Sequence, residues 1–366
     1  MRRFVSLRDF DWTLLSFVLI ICIIGTVEIY STTLHSKFAA DHMHIKQVEW
    51  IIGGIAAMFV VSLINYQALL DYVHWAYLAS IGSLLAVMLF GTRALGAKRW
   101  IRIPGIGHFQ PSEWVKLVLI IAVAKFFADM HQRELRWSDI FKAGAIVLVP
   151  MAMVLKQPDL GTALTYTPPL LAGLFLAGLS WRKAVIIIVV GAAMVVPVWH
   201  WGLKPYQKQR LTSFLNPEED ARGSGYQVQQ SLIAVGSGGI WGKGASKGSQ
   251  TQGQFLPIPH TDFIFAAFSE EHGFVGAVLM LLLYFMVLMR LIQNAQTAPD
   301  RGGTYIIMGV VAIITFHILV NVGMVVGLMP VTGIPLPLMS YGGSSVLFTF
   351  LALGIVMNVR MRRFVN

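Results

Sequence analysis

Long runs without a charged residue are the feature that most constrains the fold of this chain. A helix needs about 20 mostly apolar residues to cross the hydrocarbon core of a bilayer. Seven charge-free runs approach or exceed that length, and the last is long enough for two helices: residues 12–27, 51–70, 72–92, 160–181, 184–203, 272–289 and 302–359. Weaker spans are predicted at 112–128 and 143–155. The sequence therefore predicts an all-α, polytopic integral membrane protein with about ten transmembrane helices, organised as one domain over residues 1–366.

Composition excludes other classes of protein. Hydrophobic residues make up 56% of the chain and charged residues only 13%, whereas soluble proteins carry about 25% charged residues. This excludes an ordinary soluble enzyme and a disordered chain. The single cysteine, Cys22, excludes an intrachain disulfide and a cysteine-based metal cluster, and no metal site is predicted. Despite the net charge of +10, few basic residues are free to form one face, so no nucleic acid partner is expected.

Basic residues at both ends of the chain predict its orientation. Arginines precede the first span and follow the last: Arg2, Arg3, Arg8, Arg360, Arg362 and Arg363. By the positive-inside rule both termini are cytoplasmic, which agrees with an even number of spans. The long polar segment at about 202–262, between the seventh and eighth helices, is then extracytoplasmic.

Two outer segments concentrate positive charge. The loop 93–102 (RALGAKRWIR) contains four basic residues, among them Arg99, and the long loop contains Lys208 and Arg210 in YQKQR. Contact with lipid headgroups and a binding site for an anion both explain this charge. The glycine-rich stretch 236–244 is either a flexible loop or a set of free amides that hold an anion. A short helix is predicted at 226–235.

The segment FLPIPHTDFIFAAFSEEHG (255–273) contains the strongest catalytic candidate. Asp262 either caps the helix that follows or acts as a general base at the outer membrane surface. His260 is a weaker candidate in the same motif. Glu270 and Glu271 either line a polar cavity or pair with a neighbouring span such as the one that contains Lys116, and we favour the pairing.

Other polar residues lie near the same surface. Glu113 and Lys116 are spaced i,i+3, so they form an internal ion pair or direct the lysine toward a substrate anion. Asp159 in KQPDLGT is either a helix cap or part of a shared polar site. The turn 329–345 (MPVTGIPLPLMSYGGSS) predicts a re-entrant lining covered by protein or water.

Five motifs in order resemble one family, the shape, elongation, division and sporulation (SEDS) proteins. They are AKRWIRIPGIGHFQPSEWVK, KQPDLGTAL, the long segment from YQKQR to GIWGKG, FLPIPHTDFIFAAFSEEHGFVG and GIPLPLMSYGGSS. The resemblance covers nearly the whole chain, and QPDLGT, GSGG and GKG are more similar to its RodA branch than to its FtsW branch.

The resemblance implies a peptidoglycan glycosyltransferase that polymerises lipid II on the outer side of the bacterial cytoplasmic membrane. It implies Asp262 as the essential aspartate. It further implies a substrate cavity lined by basic and polar residues, to which we add two hydroxyl residues of the matching motifs: Arg99, Glu113, Lys116, Asp159, Lys208, Arg210, Thr261 and Ser344. The implied partners are a class B penicillin-binding protein, which supplies transpeptidase activity, and other membrane proteins of the elongation complex.

The chemistry is consistent with this implication. Transfer of a sugar to a 4-hydroxyl with loss of a lipid pyrophosphate needs one base and positive charge near the leaving group. A divalent cation, Mg²⁺ or Mn²⁺, at the pyrophosphate is left open. This chain has Ile258 where the family commonly has glutamate, so this position supplies no second carboxylate beside Asp262. A flippase of the same lipid-linked precursor is the alternative function, and a scaffold without catalysis is a third.

Overall fold

The computed structural model describes residues 9–34, 41–94, 97–103, 107–130, 134–216, 220 and 223–363, without the side chains of 92–98, 102–109 and 206. Eight helices in these residues are long and apolar enough to cross a membrane. They are α1 (Trp12–Thr33), α2 (Met43–Leu63), α4 (Val73–Phe90), α6 (Trp137–Lys156), α9 (Trp181–Pro197, extended by a π-helical turn Val198–Gly202), α13 (Ile264–Gln296), α14 (Arg301–Val325) and α15 (Gly343–Met361). Each overlaps a predicted span.

The other two predicted spans are also helical. Helix α5 (Pro111–Ala128) begins at a proline, as expected for the first turn of a helix, and carries Glu113, Lys116 and Lys125 among its apolar residues. The run at 160–176 forms two short helices, α7 (Leu160–Leu164) and α8 (Thr167–Leu176), while α3 (Tyr66–Asp71) links α2 to α4. The all-α membrane class is confirmed.

A small antiparallel sheet occupies the loop predicted only as a basic segment. Its strands are β1 (Thr92–Ala94), β2 (Ala97–Ile103) and β3 (Gly107–Phe109), in the order β1-β2-β3. Strand β2 lies against α4 and α5. The sheet therefore holds Arg99 over the C-terminal end of α4 and the N-terminal end of α5.

Small residues allow the central helices to approach closely. Helix α15 packs along α2, and α14 packs against α5, α8 and α13. A Cβ at Gly354 would lie 2.8 Å from the backbone oxygen of Met58, and one at Gly54 would lie 2.5 Å from the ring of Phe350. Close backbone contact of this kind is the usual source of packing energy between membrane helices.

A buried aspartate ties three helices together at one end of the bundle. Asp11 caps α1 by accepting a hydrogen bond from Leu14 N (3.2 Å). It also accepts hydrogen bonds from Arg290 Nε (2.9 Å) and Asn294 Nδ2 (2.9 Å) of α13 and from Arg360 Nη1 (2.7 Å) of α15. This end is the predicted cytoplasmic one.

The opposite end carries the long loop, which contains three helices. They are α10 (Pro205–Leu215), α11 (Ser224–Ser237) and α12 (Ser249–Gln252), and α11 includes the helix predicted at 226–235. The glycine-rich stretch packs on α13, where Gly273 (φ 67°) interrupts the helix. Phe274 N donates to Gly239 O (2.8 Å), and Lys243 N donates to Glu270 O (3.1 Å). The stretch is thus bound to the bundle.

The predicted pairing of Glu270 and Glu271 with the Lys116 span is wrong. Glu270 is fully buried and pairs with Lys243 Nζ (2.8 Å), which the glycine-rich loop brings back to α13. Its carboxylate also accepts the backbone N–H groups of Gln250 (2.9 Å) and Thr251 (3.0 Å). Glu271 instead accepts a hydrogen bond from Ser31 Oγ of α1. Folding of the loop supplies nearer partners than α5 does.

Candidate active site

The backbone of the HTD motif is fixed by polar side chains from two other elements. Asn321 Nδ2 of α14 donates to Asp262 O (2.9 Å) and also to Ile334 O (2.8 Å). Ser340 Oγ donates to Thr261 O (2.7 Å), and Tyr341 N donates to His260 O (2.9 Å). Asp262 is therefore held at a defined position between α14 and the turn 329–345.

The carboxylate of Asp262 has the environment of a base. It is partly buried, and no donor among the described residues forms a hydrogen bond with it. Burial raises its pKa to about 6, while the positive charge of Arg210 acts in the opposite direction. The N-cap position of α13 is Phe263, without a side-chain cap, so capping is not the role of Asp262. A carboxylate with a pKa near neutrality suits proton abstraction.

Helix α10 brings Arg210 toward Asp262. Lys208, two residues earlier, lies roughly 200° around the helix, so the two side chains leave α10 in different directions. The position of α10 is fixed by Asp220, whose carboxylate accepts hydrogen bonds from Ser213 Oγ (2.7 Å) and Ser224 Oγ (3.2 Å). These bonds lower the pKa of Asp220.

The predicted re-entrant turn forms one wall of the site. Gly333 (φ 72°) faces Asp262, since a Cβ there would lie 3.5 Å from Asp262 Oδ2. On its other side the turn touches α7, where a Cβ at Gly161 would lie 2.5 Å from Thr332 O. The turn is thus covered by protein, as its depth in the bundle requires.

Asp159 is both a helix cap and the partner of Arg99. Its Oδ1 accepts from Thr162 N (3.1 Å), which caps α7 as predicted. Its Oδ2 lies 3.7 Å from Arg99 Nη1 and accepts from Gln110 Nε2 (3.3 Å). Arg99 also donates to Pro158 O, but its Nε is buried without a hydrogen-bond partner in the described part of the chain.

Lys116 forms the internal ion pair that its spacing allows. It is almost fully buried, 2.9 Å from Glu113 Oε2, and lies 4.4 Å from the centre of the Phe348 ring. Its Nζ is also 3.3 Å from His317 Nε2. His317 and Asn321 are spaced i,i+4 on α14, so this pair lies about 6 Å, one helical turn, from the group that holds Asp262.

The remaining candidates contribute less to the cluster. Thr261 Oγ1 donates to Ile258 O (3.4 Å), beside Asp262. Burial lowers the pKa of His260 to about 4, so its imidazole is neutral at neutral pH. Ser344 lies in the first turn of α15. Ile258 is half exposed with a left-handed backbone (φ 46°), a rare conformation for a β-branched residue.

Sequence reasoning missed several residues of this site. Asn321 and Ser340 position the HTD backbone, and His317 contacts Lys116. Asn321 Oδ1 and Thr332 Oγ1 are buried near Asp262 without a partner in the described residues. Their polarity inside the otherwise apolar run 302–359 was the available signal. Unpartnered polar atoms around one carboxylate are typical of a cavity that receives a polar substrate.

The fold and the site define a polytopic membrane protein with a cluster of polar residues, built around the carboxylate of Asp262, at the end of the bundle that carries the long loop. The family of FtsW, RodA and SpoVE, described as cell cycle proteins, matches residues 11–364. The chain belongs to this family.

Relatives and solved structures resemble the chain over nearly its whole length. The peptidoglycan glycosyltransferase MrdB of Escherichia coli is 39% identical over 87% of this chain and 85% of its own length. The peptidoglycan glycosyltransferase RodA of Treponema pallidum is 34% identical over 99% of this chain and all of its own (100%). Among structures, a chain of a peptidoglycan synthase complex has a TM-score of 0.82 at 32% identity, covering 97% of this chain and 98% of that one. The rod shape determining protein RodA of Thermus thermophilus has a TM-score of 0.72 at 28% identity with the same coverage, 97% and 98%.

Proposed function

We propose that this chain is a peptidoglycan glycosyltransferase that polymerises lipid II into glycan strands during cell-wall elongation. The observation that carries the proposal is the partly buried Asp262, with a pKa raised to about 6, beside the charge of Arg210. Relatives at 34–39% identity over most of the chain are peptidoglycan glycosyltransferases. A flippase would need charge distributed through the membrane; the Asp262 site instead lies at one end of the bundle.

The proposed reaction uses Asp262 as the general base. Its carboxylate takes the proton of the acceptor 4-hydroxyl, and that oxygen attacks the anomeric carbon of the donor. The bond from this carbon to the pyrophosphate oxygen breaks, the configuration inverts, and undecaprenyl pyrophosphate leaves. Because pyrophosphate is a good leaving group, no acid is needed to protonate it.

Arg210 and Arg99 are the proposed anion-binding residues. Arg210 is close enough to act on Asp262, and Arg99 has an Nε without a partner among the described residues, beside Pro158 and Asp159. Guanidinium groups bind phosphate oxygens through charge-assisted hydrogen bonds. Glu113, Lys116 and Asp159 support the cavity wall, and Lys208, Thr261 and Ser344 remain proposed contacts to other parts of the substrate.

The residues around Asp262 offer few protein ligands for a divalent cation. In the described residues no group of three His, Cys, Asp or Glu ligands includes Asp262. Ile258 also contributes no oxygen side chain where the family commonly has glutamate. We therefore assign the protein's own positive charge at the pyrophosphate to the two arginines; a Mg²⁺ or Mn²⁺ ion there would be held by Asp262 together with the phosphate oxygens of the substrate.

We further propose that both termini are cytoplasmic and that a class B penicillin-binding protein acts with this chain in the elongation complex. The structural similarity to a chain of a peptidoglycan synthase complex supports such a partner. The arginines at both ends support the orientation.

Labelling of single cysteines tests the orientation. With Cys22 replaced by alanine, a cysteine at Ala245, which is exposed in the long loop, should react with a membrane-impermeant reagent in intact cells. The matched control is a cysteine at Thr297, exposed between α13 and α14, which should react only after permeabilisation. The reverse pattern would overturn the orientation.

Replacing Arg210 by alanine is expected to slow polymerisation by about 10–100-fold, since a charge-assisted contact contributes about 1.5–3 kcal/mol. It should also move the acid limb of the pH–rate profile upward. The sign follows because Arg210 lowers the pKa of Asp262, so its removal requires a higher pH to ionise the base. Lys208→Ala is the matched control and should leave the acid limb in place. If the acid limb of the pH–rate profile does not move in Arg210→Ala, Arg210 does not influence the pKa of Asp262.

The experiment that tests the proposed function is incubation of the purified chain with lipid II and its transpeptidase partner. Glycan strands and released undecaprenyl pyrophosphate should accumulate together, with one pyrophosphate for each bond formed. Failure to form any strand with the folded, partner-bound protein would refute the proposal.

A further inference from the structure

Two buried carboxylates and one imidazole meet at a place that the proposed reaction does not use. Glu28 of α1 and Glu271 of α13 are each 1% exposed, and His272 follows Glu271. One potential ligand atom from each of the three residues lies within 4.8 Å of the others. Glu271 is nine residues beyond Asp262, roughly 13 Å along the helix, so this group is separate from the candidate active site.

The two carboxylates have one nearby candidate for a compensating charge, His272, whose Nδ1 lies 3.8 Å from Glu28 Oε2. In the described residues Glu28 Oε1 and Glu271 Oε2 are buried without a hydrogen-bond partner, and no lysine or arginine forms an ion pair with either residue. The nearby Lys243 is engaged by Glu270. Two adjacent buried carboxylates without cations are strongly unfavourable unless an ion or a proton neutralises them.

The contacts of Glu271 leave one of its oxygens to the group. Ser31 Oγ (2.5 Å) and Gln252 Nε2 (3.5 Å) donate to Oε1, whereas Oε2 has no hydrogen-bond partner among the described residues. His272 adds an imidazole to the group, and its Nδ1 lies 3.8 Å from Glu28 Oε2 and 3.2 Å from Phe268 O.

We infer that Glu28, Glu271 and His272 form a binding site for a divalent transition-metal cation. Two carboxylate oxygens and one imidazole nitrogen suit Zn²⁺ or Mn²⁺ better than Mg²⁺ or Ca²⁺, which prefer oxygen ligands alone. The side chain of His272 is 38% exposed, so it provides the route of entry. The ion would join α1 to α13 beside the long loop, because Gln252 of α12 also donates to Ser31 O (3.0 Å). Its role is to hold that loop on the bundle.

Metal binding to the purified full-length chain tests the inference. The protein is treated with a chelator, equilibrated with ZnCl₂ or MnCl₂, and analysed by elemental mass spectrometry and thermal unfolding. One equivalent of Zn²⁺ or Mn²⁺ per chain should bind and raise the Tm, and Mg²⁺ or Ca²⁺ should bind at least about tenfold more weakly. No stoichiometric binding of Zn²⁺ or Mn²⁺ by the parental protein would overturn the inference, whatever the variants do.

Variants then assign the ligands. Glu28→Gln and Glu271→Gln should each weaken binding by more than about tenfold. Glu49→Gln is the matched control, since Glu49 is an exposed glutamate of α2, and it should bind like the parental chain. His272→Asn changes a partly exposed side chain and keeps the test valid if a buried variant fails to fold. Parental affinity in His272→Asn and Glu28→Gln would refute this ligand set. Lipid II polymerisation is not the readout, so the result is independent of the proposed function.

Discussion

Asp262→Asn is expected to reduce polymerisation of lipid II by about 10²–10⁴-fold, which is the usual contribution of a positioned acid–base group. Asparagine has the size of aspartate but cannot accept the proton of the acceptor hydroxyl. The backbone contacts from Asn321, Ser340 and Tyr341 do not involve the replaced atoms, so the HTD segment should keep its position. The rate is measured with purified protein and labelled lipid II.

Measuring the stability of Asp262→Asn distinguishes a loss of catalysis from a loss of structure. Burial raises the pKa of Asp262 above its ordinary value, so the ionised carboxylate at neutral pH lowers the stability of the fold. A neutral asparagine should therefore leave the Tm unchanged or slightly raised. Asp71→Asn, at an exposed aspartate in α3, is the matched control and should retain the parental rate. If Asp262→Asn retains the parental rate of polymerisation, Asp262 is not the general base.

Lys116→Met is expected to destabilise the protein by about 3–5 kcal/mol, because it leaves the carboxylate of Glu113 buried without its partner. The measurement is unfolding of the detergent-solubilised chain. The charge of Lys116 is almost fully buried against Glu113, His317 and Phe348, so its loss cannot be compensated by solvent.

The double variant Glu113→Gln with Lys116→Met should recover most of that stability, since it removes both buried charges. A strong coupling between the two substitutions is the signature of a buried pair. If Lys116→Met alone has parental stability, the lysine is not paired with Glu113 and instead faces the cavity.

Much of the fold could be predicted from the sequence because the bilayer imposes a length on each apolar run. The predicted spans at 12–27 and 302–359 correspond to α1 and to α14 with α15. The small sheet β1–β3 was not predicted, because its strands are short and the loop that contains them was interpreted only by its charge. The break between α7 and α8 could not be predicted, because the apolar periodicity of a run does not show where the helix bends.

The residues of the site could be predicted from the sequence more readily than the side chains with which they form ion pairs and hydrogen bonds. Asp262, Arg99, Asp159 and Arg210 were named from motifs and local charge; the structure pairs Arg99 with Asp159 and places Arg210 near Asp262. The partner of Glu270 was not predictable, because Lys243 reaches it only after the glycine-rich loop folds onto α13. The proximity of Glu28 and Glu271 was not predictable either, because α1 and α13 are far apart in the sequence and meet only in the folded bundle.

Reconstitution into vesicles tests the central claim most directly, because it separates polymerisation from transport. The chain and its transpeptidase partner are placed in vesicles with labelled lipid II in the outer leaflet, and both glycan strands and movement of label between leaflets are measured. The account predicts glycan strands that require Asp262, with no faster exchange of label between leaflets than in protein-free vesicles. Rapid transfer of lipid II across the bilayer without glycan strands would contradict it.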